Sequence, residues 1–292
     1  MNNSSAKKLW RVTLDTNPED CNLHCIMCEE HSPYSDFTER LFARTGMKYR
    51  RMPIELVDRV FEQSFILGVK EIIPSTMGEP FLYEGIDRMF ELSQKYSIKL
   101  NITTNGTFPK HSIEEWSRLI IPNTTDIKIS WNGARAETAE SVMIGLNFQK
   151  SLYNVKQLIA YRDKYYRETG NYCRVTFQLT FMQNNMHELA DIVKLAASLG
   201  VDRVKGHHLW THFKAIEPLS MKASDENVAN WNVYVRQAEE ARNNYPKPNG
   251  EKVLLENIIP LTYSEKFYIP DDYECPFLGR ELWISATGKI SP

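Results

Sequence analysis

Three cysteines stand within eight residues, in the run Cys21-Asn22-Leu23-His24-Cys25-Ile26-Met27-Cys28. Gaps of three and two residues suit a loop that wraps a compact metal centre better than a disulfide framework. Structural zinc and ordinary four-iron clusters usually draw on four protein ligands, whereas three thiolates leave one iron open to a small molecule. Spacing alone also allows a Cys3His zinc site completed by His24 or His31. Cys173 and Cys275 stand alone. Downstream, Met77-Gly78-Glu79-Pro80, Thr104-Asn105-Gly106 and Ile129-Ser130-Trp131-Asn132-Gly133 gather polar side chains around glycines. Taken singly, each reads as a turn, because Gly supplies unusual backbone angles and Pro stops a strand.

The hydrophobic pattern says what must position these residues. Short β-type runs alternate with helical ones, without low-complexity linkers or close repeats. Strands are expected at Trp10–Thr16, Glu71–Ser75, Lys99–Thr104, Asp126–Trp131, Arg174–Phe181 and Arg203–His207. Met52–Leu67 reads as an amphipathic helix, with Pro53 at its start, Leu56, Val57, Val60 and Phe61 on one face, and Gly68 as its stop. Asn185–Leu199 reads likewise, with Glu188 reaching back to the first turn and Gly200 ending it. Further helices fit Ile86–Tyr96, Ile113–Ile120, Phe148–Arg167 and Asp225–Asn243. Six strands each followed by a helix imply a parallel α/β sheet with right-handed crossovers, either a curved partial barrel or an open doubly wound sheet. In both, chemistry belongs at the carboxyl ends of the strands, and the cysteine run lies just after the first.

With 292 residues, 42% of them hydrophobic, the chain can bury the core of one large domain. A net charge of −2 supplies no general attraction for nucleic acid or an anionic membrane. No apolar run approaches the roughly 20 residues needed to cross a bilayer. A soluble, cytoplasmic protein is expected, in a reducing compartment that suits the thiols.

The Cys-x3-Cys-x2-Cys run resembles the cluster motif of the radical S-adenosylmethionine superfamily. Met77-Gly78-Glu79-Pro80 resembles that family's Gly-Gly-Glu-Pro segment, with Met77 in place of the first glycine. Thr104-Asn105-Gly106 and Ser130-Trp131-Asn132-Gly133 resemble its Thr-Asn-Gly and Ser-x-Asp-Gly turns. Four motifs in family order, each at a strand end, cover about the first 210 residues. The resemblance implies a partial (β/α)6 TIM-like barrel over residues 1–245. It also implies a [4Fe-4S] cluster on Cys21, Cys25 and Cys28, whose potential can be tuned as low as about −700 mV. Reductive cleavage of S-adenosylmethionine would then yield methionine and a 5′-deoxyadenosyl radical that abstracts hydrogen. An external low-potential donor such as flavodoxin or ferredoxin would supply the electron. By the same resemblance Glu79 accepts from the methionine amine, and Gly78 lets backbone approach the ligand. Ser130 and Gln178 bond the ribose or carboxylate, Asn105 shapes the adenosine pocket, and Met27 contacts adenine or simply packs. One departure stands out: where relatives carry an Arg-x-Gly segment that pairs with the cofactor carboxylate, this chain reads Met143-Ile144-Gly145, leaving Lys128, Arg135 or a hydroxyl to substitute.

Two further groups invite a functional reading. His207, His208, Trp210 and His212 follow the sixth strand and could supply a substrate-proximal acid or base, or be structural. Arg44, Lys48, Arg50 and Arg51 are a solvated face or, if they overhang the barrel mouth, a site for a phosphate or carboxylate. The tail from Cys275 resembles the start of a SPASM or twitch extension over residues 246–292, ending before the auxiliary-cluster cysteines. About ten residues precede the first strand, which leaves no room for an amino-terminal leader-binding domain. A small anionic or sugar-like substrate is therefore expected, with a SPASM-type peptide maturase and a non-radical zinc protein as alternatives.

Overall fold

The computed structural model describes residues 8–262 and 273–292. In chain order its elements are β1 (Arg11–Leu14), β2 (His24–Cys25), α1 (Phe37–Thr45), α2 (Ile54–Leu67), β3 (Glu71–Ile73), α3 (Ile86–Tyr96), β4 (Lys99–Thr104), α4 (Ile113–Asn123), β5 (Thr124–Ser130), α5 (Ala136–Val142), β6 (Met143–Ile144), α6 (Phe148–Thr169), β7 (Arg174–Phe181), α7 (Leu189–Leu199), β8 (Arg203–His208), α8 (Asp225–Asn244), β9 (Leu254–Glu256), β10 (Glu281–Ile284) and β11 (Ile290–Ser291). The six expected strands pair in parallel in the order β1-β3-β4-β5-β7-β8. One edge is extended by β9, parallel to β8, and the other by β10, parallel to β1, with β11 antiparallel beyond it. The fold is α/β, a mostly parallel partial barrel with two free edges.

The sheet curls so that side chains two strands apart meet inside it: Arg203 of β8 pairs with Asp126 of β5, and Thr125 of β5 donates to Glu71 of β3 at 2.5 Å. The period of two along each strand separates the two faces. Leu14, Ile72, Ile102, Ile129, Phe177 and Val204 are fully buried in the hydrophobic core. Each such side chain contributes on the order of 1.5–3 kcal/mol through burial. The alternate residues, facing inward, are mostly polar.

The helices follow from local chemistry. Pro53 sets the extended residue before α2, and Gly68 ends it at φ 72° while its N–H donates to Phe65 and Ser64 carbonyls. Ser112 and Glu115 form a reciprocal capping box on α4. The expected helix at Asn185–Leu199 divides into a 3₁₀ turn, Met186–Glu188, and α7. Glu188 does not cap its own helix. Its buried carboxylate accepts from Ala134 N at 2.7 Å, Arg135 N at 3.2 Å and Thr138 Oγ1 at 2.7 Å, and so closes the amino end of α5. Orphan N–H donors and the helix dipole draw it there. The sequence pattern does not announce β2, α1, α5 with β6, or β9 to β11. Residues 246–292, expected to begin an extension, supply β9 at one sheet edge and β10 and β11 at the other, and fall partly on 263–272, outside the described residues. No helix among the described residues is long and apolar enough to cross a membrane.

Candidate active site

The loop after β1 carries the three cysteines, and four other segments grip it. Asn17 Nδ2 donates to Glu79 O at 2.9 Å, and Glu79 N donates to Asp20 O at 2.7 Å. Asn105 Nδ2 donates to Asn22 Oδ1 at 2.9 Å, tying the turn after β4 to the same loop. His24 and Cys25 pair antiparallel with Ile144 and Met143. Arg50 clasps Glu19 through its backbone N and its guanidinium, and Arg51 Nε donates to Asp20 at 2.8 Å. The basic group thus spends Arg50 and Arg51 on holding the cysteine loop, because carboxylates of that loop lie within bidentate reach.

The result is a cavity of about 130 Å³ lined by Cys21, Cys25, Cys28, His31, Thr76 to Glu79, Thr103 to Asn105, and Ser130. Of the residues singled out from sequence, the structure brings together the cysteine triad, Gly78, Glu79, Asn105 and Ser130 around it. Gln178 stands one strand further, in register with Ser130. Met27 packs against the hydrophobic core and is not among the lining residues. Neither Lys128 nor Arg135 lines the cavity: Lys128 bonds Asn101, and Arg135 reaches Asp191 at 3.3 Å. The Met143-Ile144 segment, in the place of the family's arginine, forms the short strand that pairs with the cysteine loop. His207 and His208 point to opposite faces of β8, and His208 stacks edge-on against Phe181 and Trp231.

Glu79 is 2% exposed and well supplied with donors. Its Oε1 accepts from Thr104 Oγ1 at 2.8 Å and Phe81 N at 3.3 Å, and its Oε2 from Asn105 N at 2.7 Å. A carboxylate offers about four acceptor directions, so one remains, on Oε2. Burial pushes its pKa up to about 7, against the pull of those three hydrogen bonds. Burial likewise raises all three cluster-loop thiols, Cys21 to about 11, so they stay protonated until a cation compensates. Gly78 has no room for a side chain: a Cβ would sit 2.0 Å from Asn17 O and 2.8 Å from Asp20 O. The close approach at this glycine is that of the cysteine loop's own backbone.

The donor set fits a cluster better than a single ion. All five cysteines are free, and three line the cavity, yet no three His, Cys, Asp or Glu side chains among the described residues converge as a single-ion site. Tetrahedral zinc needs such convergence at 2.0–2.3 Å, whereas a four-iron cluster distributes its thiolates over separate irons. Both candidate histidines are engaged with backbone carbonyls, His24 Nδ1 with His31 O at 3.1 Å and His31 Nε2 with Pro18 O at 2.9 Å. Hydrogen bonds also reach the sulfurs: His31 N donates to Cys28 Sγ at 3.4 Å and Asn105 Nδ2 to Cys21 Sγ at 3.8 Å. Such bonds are among the means by which proteins tune cluster potentials. Sequence reasoning missed the supporting residues Asn17, Glu19, Asp20 and Asn22, which carry no motif and act only through contacts with distant segments.

A family model described as the Radical SAM superfamily matches residues 18–196. Among solved structures, SuiB of Streptococcus suis superposes with a TM-score of 0.65 at 14% identity, over 97% of this chain and 60% of that one. SuiB bound to precursor peptide SuiA gives a TM-score of 0.65 at 13% identity, over 97% and 59% of the two chains. Native anSMEcpe with bound AdoMet gives 0.60 at 15% identity, over 84% and 63%. At these identities the likeness is one of fold, and the chain spans about 60% of the length of SuiB. No curated protein matches the chain by sequence.

Proposed function

The chain belongs to the radical SAM superfamily of enzymes, and from that membership we propose that Cys21, Cys25 and Cys28 hold a [4Fe-4S] cluster beside which the cavity binds S-adenosylmethionine. When bound, the cluster supplies the electron for reductive cleavage of S-adenosylmethionine, and with it a carbon radical able to take hydrogen from a substrate. The protein's share is position. The free lone pair of Glu79 Oε2 receives the methionine amine, and Ser130 offers its hydroxyl to the carboxylate or ribose. Asn105 keeps the loop and the pocket wall in register, and Gln178 extends the polar row by one strand. Met27, which packs against the core, contacts adenine or serves packing alone. The observation that carries this reading is the convergence of three thiols, Glu79, Asn105 and Ser130 on one small cavity.

We further propose that the substrate is a small anionic or sugar-like molecule, and that an external low-potential donor such as flavodoxin or ferredoxin feeds the cluster in the cytoplasm. Residues 1–245 would form the catalytic barrel, and 246–292 the beginning of a SPASM- or twitch-like extension. A second reading, modification of a peptide side chain, is favoured by one observation: SuiB, similar in fold, is seen with its precursor peptide SuiA. Anaerobic reconstitution with iron and sulfide, then an assay for 5′-deoxyadenosine, tests the central reading. Replacing any one of Cys21, Cys25 or Cys28 with Ala should abolish both cluster absorbance and product. Full activity in one such variant would sink the assignment. Which addition raises product above its uncoupled rate, an anionic small molecule or a peptide, separates the two substrate classes.

A further inference from the structure

The hydroxyls around the cysteine cavity differ in where their single protons go. Thr76, Thr103, Thr104 and Ser130 all line it. Thr104 Oγ1 donates to Glu79 Oε1 at 2.8 Å and already accepts from Gly106 N at 3.2 Å. Thr76 Oγ1 donates to Asp15 Oδ1 at 2.5 Å. The hydroxyls of Thr103 and Ser130 have no hydrogen-bond partner among the described residues. A hydroxyl has one proton to give and two lone pairs to offer. Thr103 and Ser130 can therefore donate to a ligand, whereas Thr76, its proton committed to Asp15, meets one only as an acceptor.

Asp15 is placed for this by the first strand. Along β1 the side chains alternate, Val12 and Leu14 into the core and Arg11 and Thr13 inward, and Asp15 continues the inward row just past the strand's end. Its backbone N donates to Ile284 O of β10 at 2.9 Å, which pins the carbon that carries the carboxylate. Thr76 stands just before Met77-Gly78-Glu79, in the loop after β3, the strand next to β1. Burial raises the Asp15 pKa, opposed by the Thr76 hydrogen bond and by the charge of Arg50. Asp15 does not itself line the cavity, so it acts there through the Thr76 hydroxyl. Other bonds already join the two loops: Thr16 Oγ1 donates to Pro74 O at 2.7 Å, Asn17 Nδ2 to Glu79 O at 2.9 Å and Glu79 N to Asp20 O at 2.7 Å.

An amine carries at least two N–H donors, and Glu79 has one acceptor direction left. The same cavity must supply a second acceptor. We propose that Asp15 is a positioning residue for S-adenosylmethionine: by taking the Thr76 proton it presents the Thr76 lone pairs as that second acceptor for the methionine amine, beside Glu79. Asp15 and Thr76 take these roles only on the cofactor reading above. Without Asp15 the hydroxyl rotates freely and spends part of its time aiming its own proton at those of the amine. Fixing it before the ligand arrives leaves less to be ordered on binding.

The test is anaerobic calorimetric titration of the cluster-loaded protein with S-adenosylmethionine, and with 5′-deoxyadenosine, which has no amine. Thr76→Val should weaken S-adenosylmethionine binding about fivefold or more, the scale of one lost hydrogen bond, and Asp15→Ala about threefold or more. Thr76→Ser and Asp15→Asn keep a hydroxyl and an accepting oxygen, and each should stay within about twofold of the unsubstituted protein. The double variant should lose no more than Thr76→Val alone, because Asp15 acts through that hydroxyl. All of these variants should take 5′-deoxyadenosine as the unsubstituted protein does. Cluster absorbance and thermal melts separate loss of binding from loss of cluster or fold. Unchanged S-adenosylmethionine affinity in a folded, cluster-bearing Thr76→Val or Asp15→Ala overturns the proposal. So does a matching loss for 5′-deoxyadenosine, which would make the pair a support of the pocket wall, and so do additive losses in the double variant. Each of these leaves the cofactor reading standing, whereas an unsubstituted protein that binds no S-adenosylmethionine removes both.

Discussion

At the scale of single residues, the site is a set of groups with one task each. Glu79 has three of its acceptor directions used by Thr104, Asn105 and Phe81, and one left over. Glu79→Gln replaces an accepting oxygen with a donating NH2 and, on the proposed binding of S-adenosylmethionine, removes the charge opposite its amine. Cluster absorbance should survive while S-adenosylmethionine binding weakens by about 1–3 kcal/mol, the range for a charge-assisted hydrogen bond. Unchanged affinity in a titration would mean that the amine sits elsewhere. Gly78 makes a different demand, because the atoms within 3 Å of its missing Cβ are all backbone of residues 17 and 20 and cannot rotate away. Gly78→Ala must displace the cysteine loop, at a cost of about 3 kcal/mol or more by analogy with overpacked cores. Iron bound per chain after reconstitution should fall well below that of the unsubstituted protein, and a normal iron content would show that the loop relaxes freely. Cys21, Cys25, Cys28, Glu79, Asn105 and Ser130 could be picked out from sequence because each sits in a short motif at a strand end. Asn17, Asp20 and Asn22 could not, since their worth lies in bonds to residues 79 and 105, which no local pattern announces.

At the scale of elements, strands with strong alternation were legible to within a few residues, and β4 and β7 to their ends. Elements built by long-range pairing were not. β10 becomes a strand because β1 offers its edge, a contact sealed by Arg11 and Glu281 across nearly the whole chain, and β6 exists only as a partner for the two residues of β2. Glu188 shows the same limit: its position suggests a cap on its own helix, but its carboxylate takes the donors at the open end of α5 instead. The packing of α8 on β8 supplies a pH prediction. His208 lies against Phe181 and Trp231, its Nδ1 buried without a hydrogen-bond partner among the described residues. Burial, with Lys222 adding to it, lowers its pKa to about 4. An unfolded histidine titrates near 6.5, so between those values the unfolded chain binds more protons, and stability is lost as the pH falls through that window. For a ring that is not wholly enclosed, solvent screening reduces the effect to on the order of 1–2 kcal/mol. Melting temperatures at pH 7 and pH 5 should therefore differ less in His208→Phe than in the unsubstituted protein. An equal difference in both would assign the acid sensitivity to other groups.

At the scale of the whole molecule, the question is how many clusters this arrangement of thiols can hold. An auxiliary four-iron cluster usually needs about four cysteine ligands, and beyond the triad the chain offers Cys173 and Cys275. Cys173 is fully buried at the start of β7, with its thiol raised by burial to about 12, and it packs in the core beside Val175 and Phe177. Removing a proton from it would place an uncompensated charge in an apolar layer, so ligation is disfavoured there. Cys275 is exposed on the segment leading to β10, whose strand is bound to the outer edge of β1. The cluster loop follows the carboxyl end of β1, and Cys275 precedes the amino end of β10, which runs parallel to β1, so the two lie toward opposite ends of the sheet. Cys275 therefore cannot join the triad while β10 stays paired. The 292-residue chain should accordingly bind about four irons per molecule after reconstitution, the content of one cluster. Cys275→Ala should lose none of them, and loss of the triad should remove all. If iron and sulfide analysis instead finds about eight of each, with one cluster surviving in the triple Cys→Ala variant, β10 does not hold its place against β1 and a second site forms from the tail.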